Sequence, residues 1–322
     1  MKNTIVTLTR QWTAEVEQEL ASKFSPRFNP EDRILNPDDI LERCEDAIVL
    51  CPTVSDLVDK YLIDRLPVTV RLIASFGVGV ERIDVGAANA RGILVSNTPG
   101  AVVDDTADLT FGLIIATSRR FSEGDCLLRE GRWDKFSLNF MLGSSVHGKT
   151  LGIVGMGDIG TAVARRALGF NMRIIYHNRH RNPAAEQELG AVYCNRLQDL
   201  LGQSDIVTLH CPLTSETRHL INSNSLQQMK RSAILINTAR GAVVEEAALV
   251  KALQEEIIAA AGLDVFEFEP EVCMELRNMK NTVLTPHLGT ATREARNAMG
   301  RRVINNIVSY LSTGKVPDEV KI

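Results

Sequence analysis

Short apolar runs rich in valine and isoleucine alternate along the chain with longer segments in which apolar residues recur at helical spacing. This alternation is typical of β-α-β units, in which helices cover a parallel sheet. A helix predicted from the spacing of Leu109, Leu113 and Ala116 separates two groups of strands. The strands are predicted near 4–8, 47–51, 71–76, 93–96, 150–154, 173–176, 206–210, 233–237, 260–265 and 282–285. The sequence therefore predicts an α/β protein with doubly wound parallel sheets.

The length of 322 residues favours two domains, because one hydrophobic core rarely serves so long a chain. With 44% hydrophobic and 24% charged residues, the chain has the composition of a globular protein. Its net charge of -4 argues against nucleic-acid binding, which needs a strongly basic face. Small molecules are the expected partners. A last helix, predicted from about 291 to 312, either covers the second sheet or returns to the first domain.

The cysteines are scattered, without a CxxC pair and without a spacing to histidine that would indicate a metal site. We expect reduced core thiols and no metal at Cys44, Cys51, Cys126, Cys194, Cys211 and Cys273. The amino-terminal sequence MKNTIVTLTR lacks the apolar run of a signal peptide. No segment approaches the roughly 18 apolar residues of a membrane span. A cytoplasmic protein without membrane contact is therefore expected.

The segment GIVGMGDIG places the pattern G-x-G-x-x-G between a predicted strand and a predicted helix. In that context the pattern indicates a dinucleotide site. The glycines permit a tight turn, close approach of the backbone to a pyrophosphate, and close packing of helix on strand, while the amino end of the helix attracts the anion. The predicted cofactor loop consists of Gly155, Met156, Gly157, Asp158, Ile159 and Gly160.

The basic segment HNRHR follows the next predicted strand. In this fold an acid about 20 residues beyond the glycines binds the adenosine ribose. Asn178 takes that place, 18 positions after Gly160, and Arg179 follows it. A carboxylate would repel a 2′-phosphate, whereas an amide beside an arginine can bind one. The sequence predicts a preference for NADP(H), with NAD(H) as the other cofactor it could use. The alternative is that Asn178 binds the 2′-hydroxyl of NAD and the basic residues are only solvated.

Three charged residues stand just past predicted strand ends, namely Arg240, Glu269 and His287. Because the carboxyl ends of the strands open on one crevice, these side chains can meet beside the dinucleotide. Reduction of a carbonyl by hydride needs a proton donor and a fixed cation near the developing oxyanion. We predict that His287 donates the proton and that Glu269 orients it and favours its charged form. Arg240 would hold a carboxylate or the carbonyl oxygen with its planar fork.

A second glycine loop, SFGVGVERID, follows an apolar strand in the first third of the chain. Gly77 and Gly79 permit a tight loop whose backbone N–H groups face an anion. A substrate carboxylate would fit there, although a plain turn explains the glycines equally well.

These motifs together resemble the D-specific 2-hydroxyacid dehydrogenase family. The similarity runs from about Leu72 to His287 through SFGVGVERID, TADLTFGLIIATSRR, GKTLGIVGMGDIG, SDIVTLHCPLTSET, MKRSAILINTARGAVV, AAGLDVFEFEP and LTPHLGTAT. NRHR and REGRWDKF make the chain most similar to the glyoxylate/hydroxypyruvate and 2-ketogluconate reductase branch. The resemblance implies two Rossmann-like domains. One is a discontinuous, flavodoxin-like catalytic domain over 1–98 and 292–322, and the other is an NAD(P)-binding Rossmann domain over 99–291.

The resemblance also implies roles that the spacing does not show. The backbone of Val78 and Gly79 would bind the substrate carboxylate, Asp264 would contact the nicotinamide carboxamide, and Thr106 would lie near the cofactor. Further cofactor-binding residues implied by the motifs are His210, Pro212, Thr217, Thr238 and Ala239. Members of the family are commonly homodimers. Trp133 would approach the partner subunit's substrate pocket or, alternatively, be a packed surface aromatic.

The implied reaction is the reduction of glyoxylate, hydroxypyruvate or 2-ketogluconate to a D-2-hydroxy acid, with NADPH preferred. D-3-phosphoglycerate dehydrogenases share the motifs, but the chain shows no added regulatory domain and no cluster for a substrate phosphate. Formate dehydrogenases would carry glutamine in place of Glu269. A non-catalytic alternative is the family's NAD(H)-sensing co-repressors, which bind peptides. The chain departs from the family at Glu81, often aspartate, and near Asn171 and Glu256, where glycine is common.

Overall fold

The computed structural model describes residues 1–321, and the chain divides into two compact units. The first contains Met1–Val102 and the segment that begins at Ala291, and the second contains Val103–Thr290. Each unit has its own parallel sheet. Among the described residues, no helix combines the length and apolar character needed to cross a membrane.

The strands and helices alternate along the chain. The strands are β1 (Ile5–Leu8), β2 (Ser25–Arg27), β3 (Val49–Cys51), β4 (Leu72–Ala74), β5 (Leu94–Ser96), β6 (Thr150–Val154), β7 (Arg173–His177), β8 (Val192–Tyr193), β9 (Ile206–Leu209), β10 (Ile234–Asn237), β11 (Ala260–Leu263) and β12 (Thr282–Leu284). The helices are α1 (Ala14–Lys23), α2 (Pro37–Arg43), α3 (Lys60–Arg65), α4 (Val85–Ala90), α5 (Val103–Ser118), α6 (Phe121–Arg129), α7 (Asp158–Leu168), α8 (Pro183–Leu189), α9 (Leu197–Gln203), α10 (Ser223–Leu226), α11 (Glu246–Gln254), α12 (Met274–Asn278) and α13 (Arg293–Thr313), with a 3-10 turn at Gly241–Val243.

The sheet of the first unit has the strand order β2-β1-β3-β4-β5. This is the order of the flavodoxin-like doubly wound sheet. Helix α13 packs on it and contributes Val303, Ile304 and Ile307 to the core that contains Val6 and Leu8 of β1. Burial of such aliphatic side chains stabilises the unit by about 1.5–3 kcal/mol each.

The sheet of the second unit has the order β12-β11-β10-β9-β6-β7-β8, with every neighbouring pair parallel. From β6 the chain adds β7 and β8 toward one edge of the sheet. It then returns to the other side of β6, where β9 begins the series that ends at β12, so the strand order reverses between β6 and β9. The crevice outside the carboxyl ends of the strands at such a reversal is where this fold binds ligands. The α/β class with two doubly wound parallel sheets, predicted from the alternating pattern, is confirmed.

All ten predicted strands are present, whereas β2 and β8 were not predicted. Both lie at sheet edges and carry little apolar pattern, since β2 reads Ser-Pro-Arg and β8 has two residues.

The expectation of core thiols holds for Cys44, Cys51 and Cys194, which are buried, but was wrong for Cys126, which is exposed on α6. Cys126 lies on a helix with no buried residue, so its position reflects the surface character of the whole helix.

Two residues near which the resemblance implies glycine adopt left-handed backbone conformations. Asn171, after α7, has a φ of 52°, and Glu256, after α11, has a φ of 53°. Asparagine tolerates this region, whereas for other non-glycine residues it costs roughly 1–2 kcal/mol. A glycine at either helix end would therefore adopt this backbone conformation without the steric cost.

Candidate active site

The first glycine loop connects β6 to α7. Gly155 has a φ of 102°, and a β-carbon there would lie 2.6 Å from the backbone nitrogen of Cys211. A β-carbon at Gly160 would lie 2.2 Å from the carbonyl oxygen of Gly155. Both glycines are therefore required by the packing of the protein itself.

Gly157 differs from Gly155 and Gly160 because no protein atom lies within 4 Å of the position that a β-carbon would take. Gly157 and Asp158 are exposed at the amino end of α7, Ile159 is half-buried, and Met156 is buried beneath the loop. No side chain caps the helix at Gly157. Open space in front of a glycine and uncapped N–H groups of a helix are the features that a pyrophosphate needs, so the loop fits a dinucleotide.

Asn178 holds the glycine loop from the end of β7. Its side-chain Oδ1 accepts a hydrogen bond of 2.8 Å from the backbone nitrogen of Met156. Its backbone carbonyl oxygen accepts one of 3.1 Å from the Tyr193 hydroxyl. Within residues 1–321 its Nδ2 has no hydrogen-bond partner. The amide therefore fixes the loop with its oxygen and leaves a donor, rather than a carboxylate, where this fold commonly carries an acid.

The arginines of the basic turn differ in their contacts. Arg181 pairs with Glu186 at 2.5 Å and lies 5.7 Å from the centre of the Tyr193 ring. Arg179 is exposed and makes no ion pair or hydrogen bond within the described chain. The pKa of the Glu216 carboxyl is lowered mainly by a hydrogen bond from Thr214 and in part by the charge of Arg179. Arg179 therefore lies near the 214–217 loop with its guanidinium uncommitted.

The loop after β9 closes on itself. Thr217 donates a hydrogen bond of 2.6 Å to the carbonyl oxygen of Pro212 and accepts one of 2.8 Å from the backbone nitrogen of Thr214. The backbone nitrogen of His210 donates to the carbonyl oxygen of Val154 at 2.7 Å. Burial lowers the pKa of the His210 imidazole to about 3, which keeps it uncharged at neutral pH. This loop therefore borders the glycine loop, and its histidine adds no charge there.

Arg240 follows β10 in a turn fixed by Asn237. The Asn237 Oδ1 accepts from the backbone nitrogen of Ala239 at 3.0 Å, and its Nδ2 donates to the carbonyl oxygen of Arg240 at 2.9 Å. A β-carbon on Gly241 would lie 1.9 Å from the carbonyl carbon of Phe266. Only glycine at this position lets the Arg240 turn pack directly on the segment that leads to Glu269.

Two threonines of α5 contact this edge of the second unit. The Thr110 and Thr238 hydroxyls lie 2.7 Å apart and are buried. The Thr106 hydroxyl donates to the carbonyl oxygen of Gly289 at 3.2 Å. Helix α5 therefore supports both the turn after β10 and the loop after β12.

Glu269 and His287 form a direct pair. The Glu269 Oε2 lies 2.8 Å from the His287 Nδ1, and its Oε1 accepts a hydrogen bond of 2.9 Å from the backbone nitrogen of Phe266. Burial opposes ionisation of Glu269, but the hydrogen bond and charge of His287, the Phe266 N–H and the charge of Arg240 outweigh it and lower the pKa of this carboxyl. The structure thus brings Arg240 and His287 within electrostatic reach of Glu269.

Asp264 holds the loop that carries His287. Its side chain is 1% exposed, and its carboxylate accepts hydrogen bonds from the Thr285 hydroxyl at 2.6 Å and from the backbone nitrogens of Leu288 and Gly289 at 2.7 and 2.8 Å. Burial, its largest influence, raises the pKa of Asp264 despite these bonds. His287 has a φ of 54°. Such backbone strain persists only where the surroundings determine it, and Asp264 supplies those surroundings.

The second glycine loop lies at the carboxyl edge of the sheet in the first unit. The Gly77 carbonyl accepts from the backbone nitrogen of Thr98 at 3.0 Å, and the Val78 carbonyl accepts from the Asn97 Nδ2 at 2.7 Å. In a trans peptide the N–H points opposite to the carbonyl. The N–H groups of Val78 and Gly79 therefore both point away from Thr98 and Asn97, and within the described chain neither donates a hydrogen bond. Two adjacent N–H groups without an acceptor in the described chain are available to an anion, and we call this pair the nest.

Helix α6 and the segment after it expose a series of large apolar side chains. None of the α6 residues is buried. Trp133 is 55% exposed, so more than half of its surface is uncovered. We name this surface the apolar arm, and its exposed members are Phe121, Leu128, Trp133, Phe136, Leu138, Phe140 and Leu142.

No cluster of three histidine, cysteine, aspartate or glutamate side chains able to hold a metal ion occurs in the described residues. A cavity of about 300 Å³ lies at the amino-terminal ends of β10, β11 and β12 and is lined by Thr117, Arg120 and Lys280, among others. Because the strands are parallel, this cavity opens at the edge opposite to Gly157 and His287. It is separate from the candidate active site.

The sequence pattern pointed to Arg240, Glu269 and His287, but not to the two asparagines that hold the Val78 carbonyl and the Arg240 turn. Asn97 and Asn237 were not singled out, although each follows or ends a strand directly beside a predicted site residue. Their position after a β-strand and before a glycine-containing turn is the available signal, because asparagine side chains frequently bond the backbone of such turns.

Comparison with known proteins gives a consistent result. Residues 111–289 match the family described as D-isomer specific 2-hydroxyacid dehydrogenase, NAD binding domain. The chain is 48% identical over 282 residues to a glyoxylate reductase of Thermococcus litoralis, covering 86% of this chain and 84% of that protein.

Two solved structures are similar over nearly the whole chain. A glyoxylate reductase from Paecilomyes thermophila has a TM-score of 0.88 at 37% identity, covering 99% of both chains. An NADPH-dependent glyoxylate/hydroxypyruvate reductase from Sinorhizobium meliloti, in complex with NADP and malonate, has a TM-score of 0.87 at 33% identity, covering 98% of this chain and 96% of that one. With its matched motifs, its two doubly wound sheets and these relatives, the chain belongs to the D-isomer specific 2-hydroxyacid dehydrogenase family.

Proposed function

We propose that the protein is an NAD(P)H-dependent reductase that converts a small 2-keto acid into the D-2-hydroxy acid. The observation that carries the proposal is the 2.8 Å pair of Glu269 and His287, with the charge of Arg240 acting on the same carboxylate. The pair stands at the carboxyl edge of the sheet that also presents the glycine loop. The names of the relatives, glyoxylate reductase, support the same reaction class.

Each of the three residues has a distinct task in this proposal. Because the His287 Nδ1 faces Glu269, its Nε2 is the atom that donates a proton to the carbonyl oxygen. Glu269 stabilises the protonated imidazole and fixes its orientation, since its other oxygen is held by the Phe266 N–H. Arg240 binds the substrate carboxylate or the carbonyl oxygen through its planar guanidinium. The reduced nicotinamide, when bound, supplies the hydride.

The proposed substrates are glyoxylate, hydroxypyruvate and 2-ketogluconate. All three carry a carboxylate, for which the free N–H groups of Val78 and Gly79 are a suitable partner. In this proposal residues 1–98 with 292–322 form the substrate-binding domain, and residues 99–291 form the dinucleotide-binding domain.

The proposed cofactor preference is for NADPH, on the strength of Arg179. An exposed guanidinium without a partner of its own, beside an amide rather than a carboxylate, suits a 2′-phosphate. Asn178 would contact the ribose, and Gly155 to Gly160 would hold the pyrophosphate. The nicotinamide end of the cofactor would lie against Thr106, Thr238, Ala239 and Asp264.

We also propose that the protein is a homodimer, in which the apolar arm covers a second copy of the chain. Monomeric proteins rarely expose a large contiguous apolar patch, and a helix without a single buried residue gains little from its own chain. Trp133 would then approach the partner subunit's substrate pocket.

The direct test is a spectrophotometric panel that follows oxidation of the reduced cofactor. Glyoxylate, hydroxypyruvate, 2-ketogluconate, pyruvate and phenylpyruvate are each offered with NADPH and with NADH. Turnover of at least one small 2-keto acid, faster with NADPH, is the expected result. No turnover of any of them, together with binding of a peptide, would instead favour a co-repressor-like protein.

A further inference from the structure

The nest formed by Val78 and Gly79 depends on one side chain, that of Asn97. The Asn97 Nδ2 donates the 2.7 Å hydrogen bond that holds the Val78 carbonyl, and no other hydrogen bond to that carbonyl occurs in the described chain. A peptide unit is planar, so fixing its carbonyl fixes its N–H. The direction of the Gly79 N–H is therefore set by the amide of Asn97.

The neighbouring peptide is anchored differently. The Gly77 carbonyl accepts from the backbone nitrogen of Thr98, a bond that no substitution of a side chain removes directly. A β-carbon at Gly77 would lie 2.6 Å from the Cγ1 of Val54, which packs against the loop from the other side. Of the two N–H groups in the nest, only that of Gly79 is oriented through a side chain.

Asn97 is itself fixed by the carboxyl-terminal part of the chain. Its backbone nitrogen donates to the carbonyl oxygen of Asp318 at 3.3 Å, and its carbonyl oxygen accepts from the Asn306 Nδ2 at 3.3 Å. The Asn306 Oδ1 accepts from the backbone nitrogen of Asp318 at 3.2 Å. Asn306 is fully buried, and Asp318 is held by two 2.8 Å hydrogen bonds from Arg302.

We infer that Asn97 is a positioning residue for the substrate carboxylate, and that Asn306 and the 317–320 segment act through it. This inference rests on the proposed function, since it assigns the orientation of one of the groups that would bind the 2-keto acid. A contiguous set of hydrogen bonds runs from Arg302 and Asp318 through Asn306 to Asn97 and the Val78 carbonyl. Because Asn97 orients the Gly79 N–H before the anion binds, less conformational entropy is lost on binding.

The test compares Asn97→Ala with Asn89→Ala. Asn89 lies on α4 in the same unit and is exposed, so it controls for the same chemical change. Hydrogen bonds to charged groups contribute enough that the Michaelis constant for the 2-keto acid should rise about tenfold in Asn97→Ala. The inhibition constant of oxamate, a carboxylate probe, should rise by a similar factor. The kcat at saturating substrate, the Michaelis constant for the reduced cofactor, and the melting temperature should stay close to those of Asn89→Ala.

A second variant separates positioning from direct contact with the substrate. Asn306→Ala leaves the Asn97 side chain in place but removes its support, so it should raise the same Michaelis constant by a smaller factor. The double variant should be no worse than Asn97→Ala, because both act through one bond. The inference that Asn306 acts through Asn97 would be refuted by either of two results. One is a Michaelis constant for the 2-keto acid that rises additively in the double variant, and the other is an unchanged Michaelis constant in Asn306→Ala.

The outcomes for the two proposals differ. A wild-type protein that reduces no 2-keto acid contradicts the proposed function. An active wild type with an unchanged Michaelis constant in Asn97→Ala contradicts the positioning role alone. A variant that loses kcat, cofactor affinity and thermal stability together would show that Asn97 is only structural.

Discussion

The Oε2 of Glu269 lies 2.8 Å from the Nδ1 of His287, although the two residues leave different strands of the sheet. Each is held independently. Glu269 is bonded to the Phe266 N–H, and His287 stands in a loop whose backbone is bonded to Asp264. The pair therefore needs no rearrangement to orient the imidazole, and its second nitrogen is left for another partner.

Replacing Glu269 by glutamine tests the proposed role of this pair. Glutamine retains an oxygen for the Phe266 N–H but cannot stabilise a protonated imidazole by charge. We expect kcat for 2-keto acid reduction at neutral pH to fall by about 10- to 100-fold, within the range of general acid catalysis. The Michaelis constant for NADPH should change little. Steady-state kinetics measure both, and an unchanged kcat would contradict the assigned role.

The same variant makes a prediction about pH. Folding lowers the pKa of Glu269 from its ordinary value of 4.5. A carboxyl of this kind contributes stability that is present above pH 4.5 and is lost as the pH falls through the lower folded value. The part of the stability difference between wild type and Glu269→Gln that comes from this carboxyl should therefore shrink as the pH falls below about 4.5. Urea unfolding at several pH values measures it, and a difference that grows in acid would be inconsistent with this sign.

Replacing Arg179 by alanine tests the cofactor preference, with Arg181→Ala as the matched control. Arg179 has no partner in the described chain, whereas Arg181 is engaged by Glu186 and the Tyr193 ring. Loss of charge-assisted hydrogen bonds to a 2′-phosphate should raise the Michaelis constant for NADPH by roughly tenfold or more and leave that for NADH nearly unchanged. Arg181→Ala should have a smaller effect. Equal changes with NADPH and NADH would mean that the basic turn is solvated surface.

The sequence was sufficient for the strands, because buried parallel strands are continuous apolar runs that stand out from their surroundings. It was insufficient for β2 and β8, since an edge strand needs little apolar pattern and is defined by its neighbour. The charged residues Arg240, Glu269 and His287 could be found because each follows a recognisable strand. The supporting roles of Asn237, which holds the Arg240 turn, and of Asp264, which holds the His287 loop, could not be found, since both act through backbone atoms whose positions only the folded chain defines. The same is true of Asn97, which holds the Val78 carbonyl in the other unit.

Gly241→Ala should separate the geometry of the Arg240 turn from its chemistry. A β-carbon 1.9 Å from the Phe266 carbonyl carbon must displace either the turn or the segment before Glu269. We expect turnover to fall by about 100-fold or more, because misplacement by an ångström is costly in catalysis. The control is Gly202→Ala on α9, where the nearest atom would be 3.7 Å from the new carbon. The Gly202→Ala variant should retain activity. A fully active Gly241→Ala variant would show that catalysis tolerates displacement of the Arg240 turn.

Charged residues introduced into the apolar arm should disrupt the proposed homodimer. Phe136 and Leu138 are 79% and 82% exposed, so aspartate at both positions should not disturb the folded chain but should prevent burial against a second copy. Light scattering coupled to gel filtration should show a dimer for wild type and a monomer for the variant. Ile34→Asp is the control, because Ile34 is 79% exposed in the other unit. A variant that remains dimeric would place the interface elsewhere.

Glu256 and Glu255 provide a paired test of backbone strain at the end of α11. Glu256 has a φ of 53°, whereas Glu255 has a φ of -86°. Glycine at 256 removes the steric cost of the left-handed conformation, which exceeds the entropy that glycine adds to the unfolded chain. Glycine at 255 adds that entropy without any relief. We therefore expect Glu256→Gly to raise the free energy of unfolding by about 0.5–1 kcal/mol and Glu255→Gly to lower it by a similar amount.

The ion pairs of the two glutamates do not alter this expectation. Glu256 pairs with Arg231 at 2.8 Å and Glu255 with Lys251 at 3.8 Å, and all four side chains are more than half exposed. Exposed pairs of this kind contribute little, about 0–1 kcal/mol. Urea unfolding in high salt screens them and leaves the backbone effect. If both variants lost stability equally under those conditions, the left-handed conformation at Glu256 would carry no strain.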